Sequence, residues 1–182
     1  MQIFLPFPDF EQSCNALDDK RLGKQRLEAL QIWKAATGKT ARRGYSNHVC
    51  VRMWKDYLVA LRHYLVICCR VYGKRTGKNG KFFKNTKMEE HIKENDLDIK
   101  EGEIVVYPPW VGKAQFHESH KSMLYHKGKQ NTLDGLYKTN PYQQFEQFSH
   151  IKEYYWPVPL IGKSKITSST PISDSHDCIS SW

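Results

Sequence analysis

A carboxylate set among cations on one helix face is the feature of this chain best suited to chemistry. The segment Asp18-Asp-Lys-Arg-Leu-Gly-Lys-Gln-Arg-Leu-Glu-Ala-Leu-Gln-Ile-Trp33 reads as helix. At about 100° per residue, Leu22, Ala29, Trp33 and Ala36 form a narrow stripe for the core, while Lys20, Arg21, Lys24, Glu28 and Gln31 gather on the opposite side. A carboxylate so placed can hold a cationic intermediate or activate a water, and the cations around it suit phosphates. The plainer alternative is a solvated face with one intrahelical ion pair. Two details weigh against it. Lys24 precedes Glu28, the less favourable order for a pair four residues apart. Gly23 sits in mid-helix at about 1 kcal/mol against Ala, which points to a close approach by a neighbour.

Other polar groups could join this face. Arg42, Arg43, Tyr45, Asn47, His48 and Arg52 lead into a helix start, where free backbone amides favour phosphate; Asn47 acting only as a cap is an even alternative. His117 and His120, three apart with Lys121 beside them, suit hydrogen bonds to phosphates or to an extruded base; without a third ligand they are a weak metal signal. No metal or cofactor is expected. Tyr154-Tyr155-Trp156 could stack on bases, with core packing as the alternative, favoured for Trp156.

The elements that must position these groups are helices. Asp9 caps a short helix over Phe10 to Leu17, and Asp18 or Asp19 caps a longer one to about Ala36, stopped by Gly38. Asn47 opens an apolar helix through Val51, Trp54, Leu58, Leu61, Leu65, Cys68 and Val71, ending at Gly73. A basic loop, Lys74 to Lys84, leads to a helix over Thr86 to Asn95. The stretch from Glu103 to Tyr107 reads as extended, Gly112 to His126 as helix, and His150 to Pro159 as extended and aromatic. The expectation is a mostly α, single compact helical domain over 1–162 with little or no sheet. A flexible Ser-rich tail over 163–182 follows.

Among 182 residues, 28 are Lys or Arg and 19 Asp or Glu, a formal charge of +9 that draws polyanions, nucleic acid before membrane. The first residues, MQIFLPFPDF, have no signal-peptide pattern, and no apolar run reaches spanning length. Five cysteines without a C-x-x-C spacing fit neither a disulfide framework nor a zinc ribbon, so a reducing intracellular compartment is expected. The chain is expected to act as a monomer.

Together these segments resemble the pyrimidine-dimer DNA glycosylase and AP lyase family, of the bacteriophage endonuclease V type. Arg21-Leu-x-x-x-x-x-Glu28-Ala matches the motif around the family's essential glutamate. Asn47-His48-Val49 is similar to its Gly-His-Val segment, His117-Glu118-x-x-x-Ser122 to the start of its third helix, and Tyr154-Tyr155-Trp156 to its aromatic end. The resemblance implies attack by an N-terminal α-amine on C1′ of the damaged nucleotide, a Schiff base, and elimination of the 3′ phosphate. Gln2 is too large for efficient removal of the residue before it, so the amine is that of Met1. Glu28 would supply the electrostatic and acid–base function. Lys20, Arg21, Lys24, Arg26 and Arg52 would hold the backbone of duplex DNA, and His48, His117, His120 and Lys121 would line the site. Two alternatives stay open: a non-catalytic nucleic-acid-binding domain, and a hydrolase of free nucleotides, for which no phosphate loop is present.

Overall fold

A computed structural model describes residues 1–40, 46–76 and 83–160. Its elements are α1 (Phe10–Asn15), α2 (Asp19–Ala36), α3 (Val49–Trp54), α4 (Leu58–Thr76), α5 (Phe83–Glu94), α6 (Ala114–Leu133) and a 3-10 helix (Gln143–Phe148). Among the described residues there is no strand. The expected helical class therefore holds, and Glu103 to Tyr107 lies in neither helix nor strand. Arg42, Arg43, Tyr45, the middle of the basic loop (77–82) and the tail lie outside the described residues.

Local chemistry sets the first helix starts. The Asp9 carboxylate accepts the Gln12 N–H at 2.6 Å, and the Asp18 carboxylate accepts that of Arg21 at 2.9 Å, so each satisfies an otherwise unpaired first-turn donor. The α2 helix closes through Thr37, and Gly38 follows in the left-handed region at φ 72°.

Several helix boundaries differ from the sequence expectation. The apolar run from Asn47 is broken by a turn at Lys55–Tyr57, with the Tyr57 N–H on Trp54 O at 2.9 Å. Trp54 and Leu58 keep their four-residue spacing across the break, so periodicity alone cannot reveal it. The cap is also not Asn47 but His48, whose Nδ1 accepts the Cys50 N–H at 3.2 Å. At the far end α4 runs past Gly73 to Thr76. There Arg75 donates to the carbonyls of Cys14, Asn15 and Leu17 at the close of α1. Similarly α6 extends beyond His126 to Leu133.

Packing centres on α2 against α4, with α1 on α4 and α3 on α2. Leu22, Ala29 and Ile32 of α2 and Leu61, Tyr64, Leu65 and Cys68 of α4 are fully enclosed. The close approach that Gly23 implies is the ring of Tyr72: a Cβ there would lie 3.3 Å from it. Arg62 of α4 pairs with Glu103 and donates to Asp98 O at 3.2 Å, so a buried guanidinium holds the chain around 98–103 to α4. His63 also bonds Glu103 at 3.1 Å, and these two partners, His63 first, keep that carboxyl below the usual range.

The seam between α6 and the segment after it depends on a glycine. A Cβ on Gly128 would overlap the Asn140 side chain and meet the Tyr142 ring at 2.8 Å. Asn140 is not free to retreat, because its amide donates to Tyr125 O at 3.2 Å and its oxygen accepts the Tyr142 N–H at 3.0 Å. Gly128→Ala is therefore expected to lower unfolding stability by about 1–3 kcal/mol, although alanine is the better helix former. A urea midpoint equal to the parent's, at unchanged slope, would refute that packing constraint.

Candidate active site

The N-terminal segment is the element on which the site is built. Ile3, Phe4 and Leu5 are buried, yet residues 1–5 have no regular structure to satisfy their backbone. Side chains do it instead. The Gln2 N–H donates to Glu28 Oε2 at 3.2 Å, and Gln25 Nε2 donates to Gln2 O at 2.9 Å. Gln25 Oε1 accepts the Phe4 N–H at 2.8 Å, and the Tyr64 hydroxyl lies 3.1 Å from Phe4 O. The Leu5 N–H donates to His120 Nδ1 at 3.0 Å, and His117 Nδ1 donates to Leu5 O at 2.8 Å. The Cys50 thiol donates to Met1 O at 3.2 Å.

These bonds bring the N-terminus to Glu28. The Glu28 side chain is 13% exposed and also takes a bond from Gln25 Nε2 at 3.2 Å and an ion pair from the largely exposed Lys24 at 3.7 Å. His48 stands close by. Its imidazole is held below its usual range by burial and then by the α-amino group, with Glu28 acting in the opposite sense. Cys50 feels the same two charges, but burial dominates and pushes its thiol up to about 12. Met1, Glu28 and His48, expected from sequence as one site, are thus brought together by α2 and the start of α3.

Cations rim the group on one side. Lys20, Arg21 and Lys24 of α2 face Lys127, Gln130 and Asn131 of α6 across a cavity of about 360 Å³, which Tyr137 completes. Lys127 is held below its ordinary range by burial, then by Arg21 and Lys24, with Glu28 opposing. Arg21 also pairs with Asp18 at 3.6 Å and lies over the Phe4 and Tyr142 rings. Four cations against so few carboxylates leave an anion-attracting notch beside Glu28.

Several residues expected to face DNA sit elsewhere. His117 and His120 are buried at 3% and 1% exposure, and their bonds to Leu5 clamp the N-terminal segment from within. Their roles fix the tautomers: His117 carries its proton on Nδ1 and accepts the Gly112 N–H at Nε2, whereas His120 accepts at Nδ1. Arg26 is 2% exposed, with its guanidinium 3.7 Å from the Tyr72 ring centre. It lines a hollow of about 680 Å³ with Leu27, Leu30, Tyr72 and Met88, which Lys20 and Lys24 also border. Arg52 donates to Pro159 O at 2.7 Å and ties down the aromatic C-terminal segment. Lys121 lies over the rings of Phe7 and Phe148. Tyr154, Tyr155 and Trp156 are part-buried against the core. Among the described residues no group of three or more His, Cys, Asp or Glu could hold a metal ion, and no helix is long and apolar enough to cross a membrane.

Sequence reasoning missed Gln25, Tyr64, Cys50 and Lys127. Gln25 and Glu28 stand three apart on one helix, a spacing at which an amide can reach a carboxylate. That signal was available; the burial that makes it matter was not.

A family model described as pyrimidine dimer DNA glycosylase matches residues 1–85, the stretch that carries Glu28, Gln25 and His48. The resemblance drawn from the motifs is thus met by an independent comparison. No curated protein and no solved structure matches the chain significantly.

The histidine clamp makes stability acid-sensitive. Burial, and then His117, bring His120 down to about 3, and burial also lowers His117. Both rings are neutral in the fold but take up protons in the unfolded chain below about pH 6.5. Their contribution is whole above that pH and is lost as pH falls toward 3, with a slope approaching about 1.4 kcal/mol per pH unit for His120 alone. His120→Asn is expected to be less stable at pH 7 and to show a flatter acid limb in denaturant titrations. A limb as steep as the parent's would mean that His120 is not the buried neutral group.

Proposed function

From the premise that residues 1–85 carry the pattern of the pyrimidine dimer DNA glycosylases, we propose that the protein is a DNA-repair N-glycosylase with AP-lyase activity, acting on a damaged or modified base in duplex DNA. The observation that carries the reading is the convergence of the N-terminal segment on Glu28, joined by the Gln2 N–H bond of 3.2 Å across 26 residues of sequence.

In this mechanism the damaged nucleotide or its partner leaves the stack, so that C1′ reaches the N-terminus. The α-amine of Met1 attacks C1′ with its lone pair, and the base departs with the electrons of the glycosidic bond. An α-amine suits the step because its ordinary pKa near 7.7–8.0 leaves a useful neutral fraction at working pH. Opening of the sugar leaves a protonated Schiff base, whose positive charge the Glu28 carboxylate offsets at short range. Loss of a C2′ proton to a base then expels the 3′ phosphate. Lys20, Arg21 and Lys24 hold backbone phosphates beside the site, and His117 and His120 act from inside by fixing the segment that bears the amine.

A binding-only reading is favoured by one observation, the Lys24–Glu28 ion pair at 3.7 Å, in which Glu28 is merely a partner. Exposed pairs of this kind contribute about 0–1 kcal/mol and nothing to catalysis. Glu28→Gln separates the two. It is nearly isosteric, so DNA affinity should hold or rise slightly while single-turnover cleavage of abasic and dimer-containing duplexes is abolished. Borohydride should trap the parent on abasic DNA and fail with a blocked α-amine. If Glu28→Gln cuts as fast as the parent, Glu28 is not the catalytic carboxylate; if the parent neither cuts nor is trapped, the binding module is left.

Salt dependence tests the shared part of both readings. Affinity for duplex DNA should fall with a log–log slope of about −0.9 per phosphate neutralised. A slope near zero would remove DNA as the partner.

A further inference from the structure

We infer that Gln25 is the positioning residue of the Glu28 site: its carboxamide sets the carboxylate and the N-terminal segment in one fixed relation. The inference rests on the glycosylase and lyase reading above and goes beyond it in assigning the group that holds the reacting parts in register.

Gln25 lies one turn before Glu28 on α2 and is 1% exposed. Its Oε1 accepts from the Phe4 N–H at 2.8 Å and lies 2.9 Å from the Tyr64 hydroxyl, whose single proton is shared between this oxygen and Phe4 O at 3.1 Å. Its Nε2 donates to Gln2 O at 2.9 Å and to Glu28 Oε2 at 3.2 Å. The orientation of the amide is forced, because a backbone N–H can only donate and a backbone carbonyl can only accept. A flip would set donor against donor at Phe4 and acceptor against acceptor at Gln2. The Nε2 hydrogens are therefore always aimed at Gln2 and Glu28.

The consequence falls on Glu28. Its Oε2 is held by two N–H donors of the framework, Gln25 Nε2 and Gln2 N, each at 3.2 Å. Its Oε1 is the oxygen toward Lys24, at 3.7 Å. One carboxylate oxygen is thus an anchor and the other is left for chemistry. The same amide holds the chain on both sides of Ile3, so it also sets how far the α-amine stands from the carboxylate. An apolar side chain of equal size would fill the space but leave the Phe4 N–H and Gln2 carbonyl without these partners.

The test compares the full-length parent with Gln25→Glu and Gln25→Met in single-turnover cleavage of an abasic duplex, alongside DNA affinity and thermal unfolding. In Gln25→Glu, the oxygen that replaces Nε2 faces Gln2 O and Glu28, where only a protonated oxygen fits. Two adjacent carboxyls share one proton, taken up as pH falls. Near pH 8 cleavage should be slower by on the order of 100-fold, the effect of a misplacement of about 1 Å, with affinity within about threefold of the parent. The ratio of variant to parent rate should then climb as pH is lowered from about 9 to about 6, as the donor to Glu28 is restored. Glu28, Lys24 and Arg21 on α2, Tyr64 on α4, His48 and Cys50 at α3, Lys127 on α6, Tyr154 and the α-amine also surround this site. Taking the ratio to the parent cancels what they contribute in common.

A flat ratio, or a loss no larger than the unfolded fraction, overturns the inference. Should Gln25→Glu not fold, Gln25→Met carries the test: expected are a comparable loss of rate, retained affinity and a pH profile parallel to the parent's, and parent-like cleavage overturns it. If the parent cuts, Glu28→Gln does not, and both Gln25 variants cut normally, the lyase reading stands and this inference falls. A parent that cuts nothing overturns both.

Discussion

The rest of this structure depends on a buried segment that has no secondary structure of its own. A strand or helix satisfies its backbone internally or with a neighbour; residues 1–5 do neither, and their polar groups would be costly to leave unpaired in the core. Each partner must therefore be a side chain brought from elsewhere. They come from α2 (Gln25, Glu28), from Cys50 of α3, from α4 (Tyr64) and from α6 (His117, His120). Those helices are arranged around the segment as much as around their own apolar stripes.

This constraint explains why the core holds so many polar groups. Gln25, His117 and His120 would be liabilities in an ordinary helical interior, since each removes a polar side chain from water. Here the two imidazoles use the same nitrogen, Nδ1, in opposite roles on one residue: His120 accepts the Leu5 N–H and His117 donates to the Leu5 carbonyl. Bonds made to the backbone at so many points rigidify the segment they hold. Under the proposed lyase mechanism, which needs the α-amine placed to a fraction of an ångström, rigidity at the N-terminus is the relevant gain.

Charge is divided between two levels. At the surface Lys20, Lys24 and Lys127 leave an excess of positive potential over the notch beside Glu28. Beneath it, guanidinium groups that could have joined the surface field serve packing instead. Arg26 lies on Tyr72, Arg62 holds Glu103, and Arg75 takes up the carbonyls that end α1. Formal charge alone cannot separate these groups, because Lys and Arg count equally whether their ends meet solvent, a ring or a carbonyl.

What the sequence by itself determined is what local physics controls. The cap at Asp9, a second cap at Asp18 or Asp19 (Asp18 in the structure), the helix carrying Glu28 among Lys20, Arg21 and Lys24, and the helical class all follow from short-range capping and 3.6-residue periodicity. Glu28 stood out as a candidate because a lone carboxylate on a cationic arc is visible along one helix. The tertiary structure decided the rest. It turned His117 and His120 inward, broke the apolar run at Lys55–Tyr57, moved the cap from Asn47 to His48, buried Arg26 against Tyr72 and revealed Gln25. The physical reason is separation along the chain. The bond between Leu5 and His120 spans 115 residues and that between Phe4 and Gln25 spans 21. No periodicity encodes which distant backbone group a buried imidazole or amide will meet; only the packing of α2, α4 and α6 around the N-terminal segment does.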